Sequence, residues 1–271
     1  MKEGPRGADA RAIAAGWSGL SEEIEHWGAA GRVATLWWRD DDATRASERL
    51  DRLLVTAGPV PLALAVIPGL ADESLAARLA PPAAPTITVL QHGWRHIDRS
   101  LGGRKSEFPW ARSAAAAAAD LAAGRARLLE LFGASTIAVL APPWNRFDTR
   151  HLSLLAGGGI GAISQMGPRR AAWPRLGVFA ANVHVDLVAW GGDRGFVGEA
   201  AALAALVGHL RGRRLGLVDA AEATGIMTHH LVQDTGAERF LERLLGLTVG
   251  HPAVRWLAAR EVFAPGIAGR P

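Results

Sequence analysis

A chain of 271 residues with 49% hydrophobic content and a net charge of +4 can bury a large core, which excludes a disordered protein. It has no cysteine, so disulfides and thiolate metal sites are excluded, and any metal is held by His and carboxylate. Its positive charge is scattered, with Lys only at Lys2 and Lys105. The concentrated basic stripe of a nucleic-acid binder is therefore missing, and no run of about 18 uncharged apolar residues suggests a membrane span.

The opening stretch MKEGPRGADARAIAAGW lacks the apolar segment of a signal peptide, so a cytoplasmic location is expected. Residues 1–31 read as a helical N-terminal extension of one domain spanning 1–271. RVATLWW (32–38) reads as a strand running into Asp40, Asp41 and Asp42. A helix through ASERLDRLLVTAG stops at Gly58, and VPLALAVIPG (60–69) is a buried strand. DESLAARLA is a short helix with Asp72 as N-cap, ended by Pro81 and Pro82. TITVLQH (86–92) is a third strand. Residues 113–133 form a helix with Ser113 at its start and Gly133 just past its end. STIAVLAPP (135–143) is a fourth strand, stopped by two prolines.

Further on, a helix is expected near 148–156 and strands near 160–164 and at NVHVDLVAW. GEAAALAALVGHLRGRR is a helix, TGIMTHH a strand, GAERFLERLLGL a helix and AVRWLA a short strand. Repeated strand–helix units predict an α/β fold: a parallel sheet with helices outside, closed or nearly closed into a single TIM-like barrel. The polar loop DRSLGGRKSEFPW (98–110) is expected to face substrate.

In such barrels chemistry sits at the C-terminal ends of the strands. There the sequence places the three aspartates, His92 and His96 of QHGWRH, the APPWNR stretch, His184 with Asp186, and His229 with His230. Four residues apart on a strand, His92 and His96 would be about 13 Å apart and could not share an ion. On a helical turn, which Gly93 makes easy, the same spacing puts them on one face. With one carboxylate from the aspartate run they would supply the three protein ligands common in hydrolytic zinc sites. A second aspartate could then act as general base, and His229 as general acid. One Asp satisfies a helix N-cap; three in a row exceed that need.

Together these stretches resemble the polysaccharide deacetylase (NodB-homology) family, carbohydrate esterases on a distorted (β/α) barrel. Its Thr-Phe-Asp-Asp-Gly motif is similar to Trp38-Arg39-Asp40-Asp41-Asp42, its His-x-x-x-His is matched by His92 and His96, and its Arg-Pro-Pro-aromatic-Gly is similar to Ala141-Pro142-Pro143-Trp144-Asn145. A last motif, an apolar strand ending in His, resembles Ile226-Met227-Thr228-His229. The match in order covers about residues 33–230. The resemblance implies a distorted TIM-like barrel, seven-stranded, and metal-dependent removal of an N-acyl group from a carbohydrate or sugar-like substrate.

It implies Asp40 as base, Asp41, His92 and His96 as metal ligands and His229 as acid, with Asp42 and His230 as alternates. Because Asp42 stands at the motif's Gly, the working pair is alternatively Asp41 with Asp42, or Asp40 with Asp42. The family's third-motif Arg, which orients the catalytic aspartate, is Ala141 here, leaving Arg39 or Arg146 to replace it. Substrate contacts are expected from Trp94, Pro143, Trp144, Asn145, Arg146 and Asp186, with Trp110 as a further stacking surface. The implied cofactor is Zn2+, with Co2+, Mn2+ or Ni2+ in its place, and the implied partner is a small-molecule or glycan substrate. No nucleic-acid or membrane partner is expected, and no oligomeric state is legible. The alternatives are a catalytically silent glycan- or metal-binding barrel, and an amidohydrolase acting on a non-carbohydrate amide.

Overall fold

The computed structural model describes residues 5–80, 86–192 and 194–268, with side chains from residue 16 onward. The expected stop at Pro81 and Pro82 lies outside the described residues. The chain forms α1 (Pro5–Ala29), β1 (Ala34–Ala43), α2 (Glu48–Ala57), β2 (Leu62–Val66), α3 (Glu73–Leu79), β3 (Ile87–Gln91), α4 (Ala114–Phe132) and β4 (Thr136–Leu140). There follow α5 (Leu152–Gly157), β5 (Ala162–Ile163), β6 (Phe179–Ala180), β7 (Val185–Asp186), α6 (Glu199–Arg214), β8 (Thr224–Thr228), α7 (Thr235–Thr248), β9 (Val254–Trp256), α8 (Ala259–Val262) and α9 (Ala264–Ile267). No described helix is long and apolar enough to cross a membrane.

Helix starts follow from side-chain acceptors. Ser113 Oγ accepts the Ala116 N–H, and Asp72 accepts from Ser74 and Leu75. Each such cap contributes about 1 kcal/mol. Gly58 and Gly133 close α2 and α4.

The strands pair in parallel in the order β6-β5-β4-β3-β2-β1-β8-β7, with β9 added to β1. The eight strands of this path, with β9 beside β1 as a ninth, curl into a half-barrel, where seven were expected. The difference arises in one segment: residues 179–180 pair with β5, and residues 185–186 pair with β8. A single run of chain changes neighbours there and breaks into two short strands.

The period of two along β1 sorts its residues. Leu36 and Trp38 pack outward in the layer between sheet and helices, where Trp17, Leu20, Ile24 and Trp27 of α1 meet Leu203, Leu206 and Leu210 of α6. Trp37 points inward, among Ala63, Ala65, Ala162 and Met227, and meets Phe263 edge-on at 5.3 Å. Its Nε1–H donates to the Asn182 carbonyl at 3.1 Å. A Cβ on Gly225 would lie 2.5 Å from that nitrogen, so only glycine admits the indole.

Candidate metal centre and active site

The alternation continues into the aspartates and decides where each goes. Arg39 and Asp41 point inward with Trp37. Asp40 points outward with Trp38, where its Oδ2 accepts from the Thr228 hydroxyl (2.6 Å) and the His230 N–H (2.9 Å), and its Oδ1 from His230 Nδ1 (2.5 Å). Trp38 Nε1 donates to the same Thr228 hydroxyl at 2.9 Å. Asp40, expected as base, and His230, named as an alternate, are thus a buried pair behind the β1–β8 seam. Neither lines the pocket at the mouth of the barrel.

Strict alternation would send Asp42 outward as well. Instead the β1–β2 register slips between Asp40 and Ala43, and Asp42 is left-handed with φ 72°. This bulge, in a conformation that Asp tolerates better than most residues, turns the side chain into the mouth. Asp42, not Asp41, therefore meets the histidines: its Oδ1 lies 3.1 Å from His92 Nε2 and 3.4 Å from His96 Nε2. That places the carboxylate one residue beyond the position implied by the resemblance.

The histidines come together without the expected helical turn. Gly93 (φ 65°) and His96 (φ 57°) are both left-handed, and the chain doubles back through them. Buried Glu107 holds this turn, accepting the N–H of Trp94 at 3.0 Å and of Arg95 at 2.9 Å. A Cβ on Gly93 would lie 2.0 Å from Glu107 Oε2, so glycine is required twice over, by space and by φ. Glu107 sits in the polar loop 98–110, and no spacing rule pointed to it.

His92 Nδ1 lies 2.8 Å from the Ala141 carbonyl. A carbonyl can only accept, so Nδ1 carries the proton and Nε2 presents its lone pair to the cluster. Asp42 Oδ1 is buried and has no hydrogen-bond partner. Two ligands at about 2.0–2.2 Å from a tetrahedral ion sit roughly 3.4 Å apart, close to the separations found here. Asp42, His92 and His96 thus fit a divalent cation. Burial opposes ionisation of Asp42, but the adjoining His92, with His229 and His96, outweighs it and holds the carboxyl well below its ordinary range. Burial also opposes protonation of His92, yet Asp41 and Asp42 push its pKa up. Burial and the charge on His92 push His96 down.

Arg39, one of the two residues expected to stand in for the arginine absent at Ala141, reaches Asp41. It is fully buried, with Nη2 2.9 Å from Asp41 Oδ2 and Nε 2.8 Å from Asp41 Oδ1. Its other donors reach the Ser164 hydroxyl (2.7 Å) and carbonyl (3.1 Å) and Asn145 Oδ1 (2.6 Å). One guanidinium therefore ties β1 to the ends of β4 and β5 and holds Asp41 by one charge-assisted hydrogen bond to Oδ2 and an ionic contact at Oδ1. Ser164 carried no sequence signal.

His229 ends β8 on the inward side, its Nε2 4.0 Å from Asp41 Oδ2. Trp190 stands edge-on against its ring at 4.6 Å and donates to Asp186 Oδ2 at 2.7 Å. Burial first, and then the charge of Asp41, raise the pKa of Asp186. Trp144 and Asn145 are both left-handed, and Trp144 lies 4.2 Å from the His96 ring.

The pocket, about 880 Å³, is lined by Asp41, Asp42 and both metal-side histidines, together with His229, Trp144, Asn145, Arg146 and Asp186. Three expected contacts fall elsewhere. Pro143 is buried behind Gly93, the Trp94 ring lies against Arg95, and Trp110 lies against Arg150. His184, read as a strand-end residue beside Asp186, instead stacks on His209 of α6. Arg104 and Lys105 reach the pocket from loop 98–110, which was expected to face substrate, while Met166 and Arg194 were not named from the sequence and Met227 only as part of the last motif.

No protein-family model matches the sequence, and no curated protein matches it either. Solved structures do. A protein from Mycobacterium smegmatis, provisionally assigned as a polysaccharide deacetylase, is 16% identical and superposes with a TM-score of 0.63 over 89% of this chain and 95% of that one. A peptidoglycan N-acetylglucosamine deacetylase in complex with 4-naphthalen-1-yl-N-oxidanyl-benzamide gives 13% identity and a TM-score of 0.55, over 86% and 89%. A family 4 acetyl xylan esterase from Clostridium thermocellum, in complex with a cobalt ion, gives 13% and 0.53, over 85% and 91%. The chain has the fold of these deacetylases and esterases across most of its length.

Proposed function

We propose that this protein is a divergent deacetylase of the polysaccharide-deacetylase type, a metal-dependent hydrolase that removes an N-acyl group from a carbohydrate or sugar-like substrate. The observation that carries the proposal is the pairing of a metal-competent triad, Asp42, His92 and His96, with an arginine-held Asp41 in one pocket. The ion would be held by Asp42 Oδ1 and the two Nε2 atoms; two imidazoles and one carboxylate suit zinc. When bound, it supplies Lewis acidity to the acyl carbonyl and the attacking water.

The chain's own groups divide the remaining work. Asp41, fixed by Arg39, takes the proton of the attacking water, and His229 delivers one to the leaving nitrogen. The Asn145 and Arg146 amides already close their turn onto Pro142 and Pro143, so the Trp144 N–H is the donor this turn offers to a developing oxyanion. The Trp144 ring is a platform for a sugar face. Asp40, with His230 and Thr228, is a positioning group that fixes the end of β8 and so the reach of His229. Ala141 favours the alternative of a silent barrel, whereas Arg39 on Asp41 supports the active reading.

The test is hydrolysis of N-acetylated sugars and simple aryl acetamides by metal-loaded protein. Asp41→Asn should keep its metal and lose about 10²–10⁴ in kcat, whereas Asp40→Asn should lose far less. Absence of turnover on every acylated compound with the metal bound would defeat the hydrolase reading. Equal effects of the two substitutions would defeat the assignment of the base.

A further inference from the structure

Four cationic side chains line the pocket that holds the triad: Arg104, Lys105, Arg146 and Arg194. Basic residues are 30 of 271 in the chain but four of the fifteen that line this pocket, more than twice the chain's own proportion. They come from three separate segments: loop 98–110, the turn after β4 and the stretch following Trp190.

Loop 98–110 is a built feature. Asp98 Oδ1 accepts the N–H of Ser100 (3.0 Å) and of Ser106 (3.1 Å), the Arg99 N–H donates to the Ser106 carbonyl (2.9 Å), and Arg146 Nη1 donates to the Lys105 carbonyl (3.0 Å). These bonds hold Arg104 and Lys105 at the pocket edge.

These cations do not serve to neutralise the pocket's own acids. Asp41 is paired with Arg39, Asp42 faces two histidines, and Asp186 accepts from Val188 and Trp190. Among the described residues, none of the four rim cations makes an ion pair with a carboxylate. A rim of guanidinium and ammonium groups around a pocket whose acids are already occupied is suited to an incoming anion, which guanidinium groups bind with charge-assisted, often bidentate hydrogen bonds.

We propose that the substrate carries, besides its acyl group, an anionic group held by Arg104, Lys105, Arg146 and Arg194: a phosphate or a carboxylate on a sugar-sized molecule. This rests on the hydrolase reading for the acyl group, but the anion site stands on its own. The field of the rim also speeds capture of an anionic substrate, increasingly so as salt is lowered.

The test measures binding without turnover, by calorimetry on metal-loaded protein. The probes are the deacylated sugars glucosamine, glucosamine 6-phosphate and the corresponding 2-amino-2-deoxyglucuronic acid. At low salt one of the two anionic probes should bind at least about tenfold more tightly than glucosamine, as expected for one or two hydrogen bonds to a charged group. Its advantage should shrink as salt rises. The Arg104→Gln/Lys105→Gln variant, altered only at exposed positions, and Arg146→Gln should bring the ratio of the acid-bearing probe's affinity to that of glucosamine toward one. Tighter binding of the phosphate identifies a phosphorylated substrate, and of the carboxylate a uronic-type one. Equal affinity for all three probes, or a preference unchanged in both variants, overturns the proposal even if acyl hydrolysis is observed. An anion preference with no hydrolysis of any acylated sugar would instead sink the hydrolase reading and leave the anion site in place.

Discussion

Two groups of two histidines and one carboxylate stand within a few strands of each other, and their hydrogen bonds set them up differently. At the barrel mouth are Asp42, His92 and His96; between α6 and the start of β8 are His184, His209 and Glu222. In the mouth group His92 gives its Nδ1 proton to the Ala141 carbonyl, which frees Nε2. In the group under α6, the Gly225 N–H donates to His184 Nδ1 at 3.0 Å, so the ring proton sits on Nε2, 3.4 Å from Glu222 Oε2. Glu222 already accepts the amides of Asn182 (2.8 Å) and Arg169 (2.9 Å). The His184 and His209 rings stack at 3.4 Å, and Arg213 donates to the same Thr224 hydroxyl that meets His209. The same donor chemistry, two imidazoles and a carboxylate, offers a free Nε2 lone pair on His92 in one place and forms a hydrogen-bonded brace in the other, because the backbone partner at Nδ1 sets which nitrogen has the lone pair.

The largest effect that could break this contrast is metal loading. After equilibration with zinc or cobalt the wild type should retain one ion per chain, His92→Ala none, and His184→Ala one. At a hundredfold excess over Kd the ion should stabilise the fold by about 2.7 kcal/mol, visible as a raised Tm in wild type and His184→Ala but not in His92→Ala. A second ion in the wild type, or its loss in His184→Ala, would erase the distinction.

Next in size is the brace itself. Glu222→Ala strands two buried amides and should cost about 2 kcal/mol in urea denaturation, with metal stoichiometry unchanged. A change in stoichiometry there would mean that Glu222 is a ligand after all.

The smallest effect is a pH slope. Burial, with the charges of His184 and Arg213, pushes His209 down to about 2, and burial also lowers His184. The unfolded chain binds protons near pH 6.5 that the folded brace refuses, so the brace's stability is full above that pH and is lost as pH falls below it. The loss approaches about 1.4 kcal/mol per pH unit for each such histidine. His209→Leu should therefore show a shallower decline in stability between pH 7 and pH 5 than the wild type. An identical slope would mean that His209 is not held neutral.

Much of the scaffold was open to inspection in the letters. The strand–helix order, Asp72 and Ser113 as caps and Gly58 and Gly133 as stops are local effects of side-chain acceptors and backbone freedom, and they hold in the fold. The choice among three aspartates was harder to read. Alternation alone separates Asp40 from Asp41, but Asp42 enters the pocket only through a bulge, and a bulge depends on how β1 meets β2. Arg39 was named as one replacement for the missing arginine; its four partners come from positions 41, 145, 164 and 227, which no local pattern brings together.

By itself, then, the sequence determined the parallel α/β architecture, the absence of thiolate ligands and the set of residues from which a metal centre could be drawn. These follow from period, composition and spacing, properties that a chain carries before it folds. Tertiary structure alone decided which carboxylate joins His92 and His96, that Asp40 braces His230 behind the seam, and that Arg104, Lys105, Arg146 and Arg194 gather at one rim. Hydrogen-bond roles and side-chain facing are set by partners far away in sequence, and those partners are fixed only when the sheet assembles.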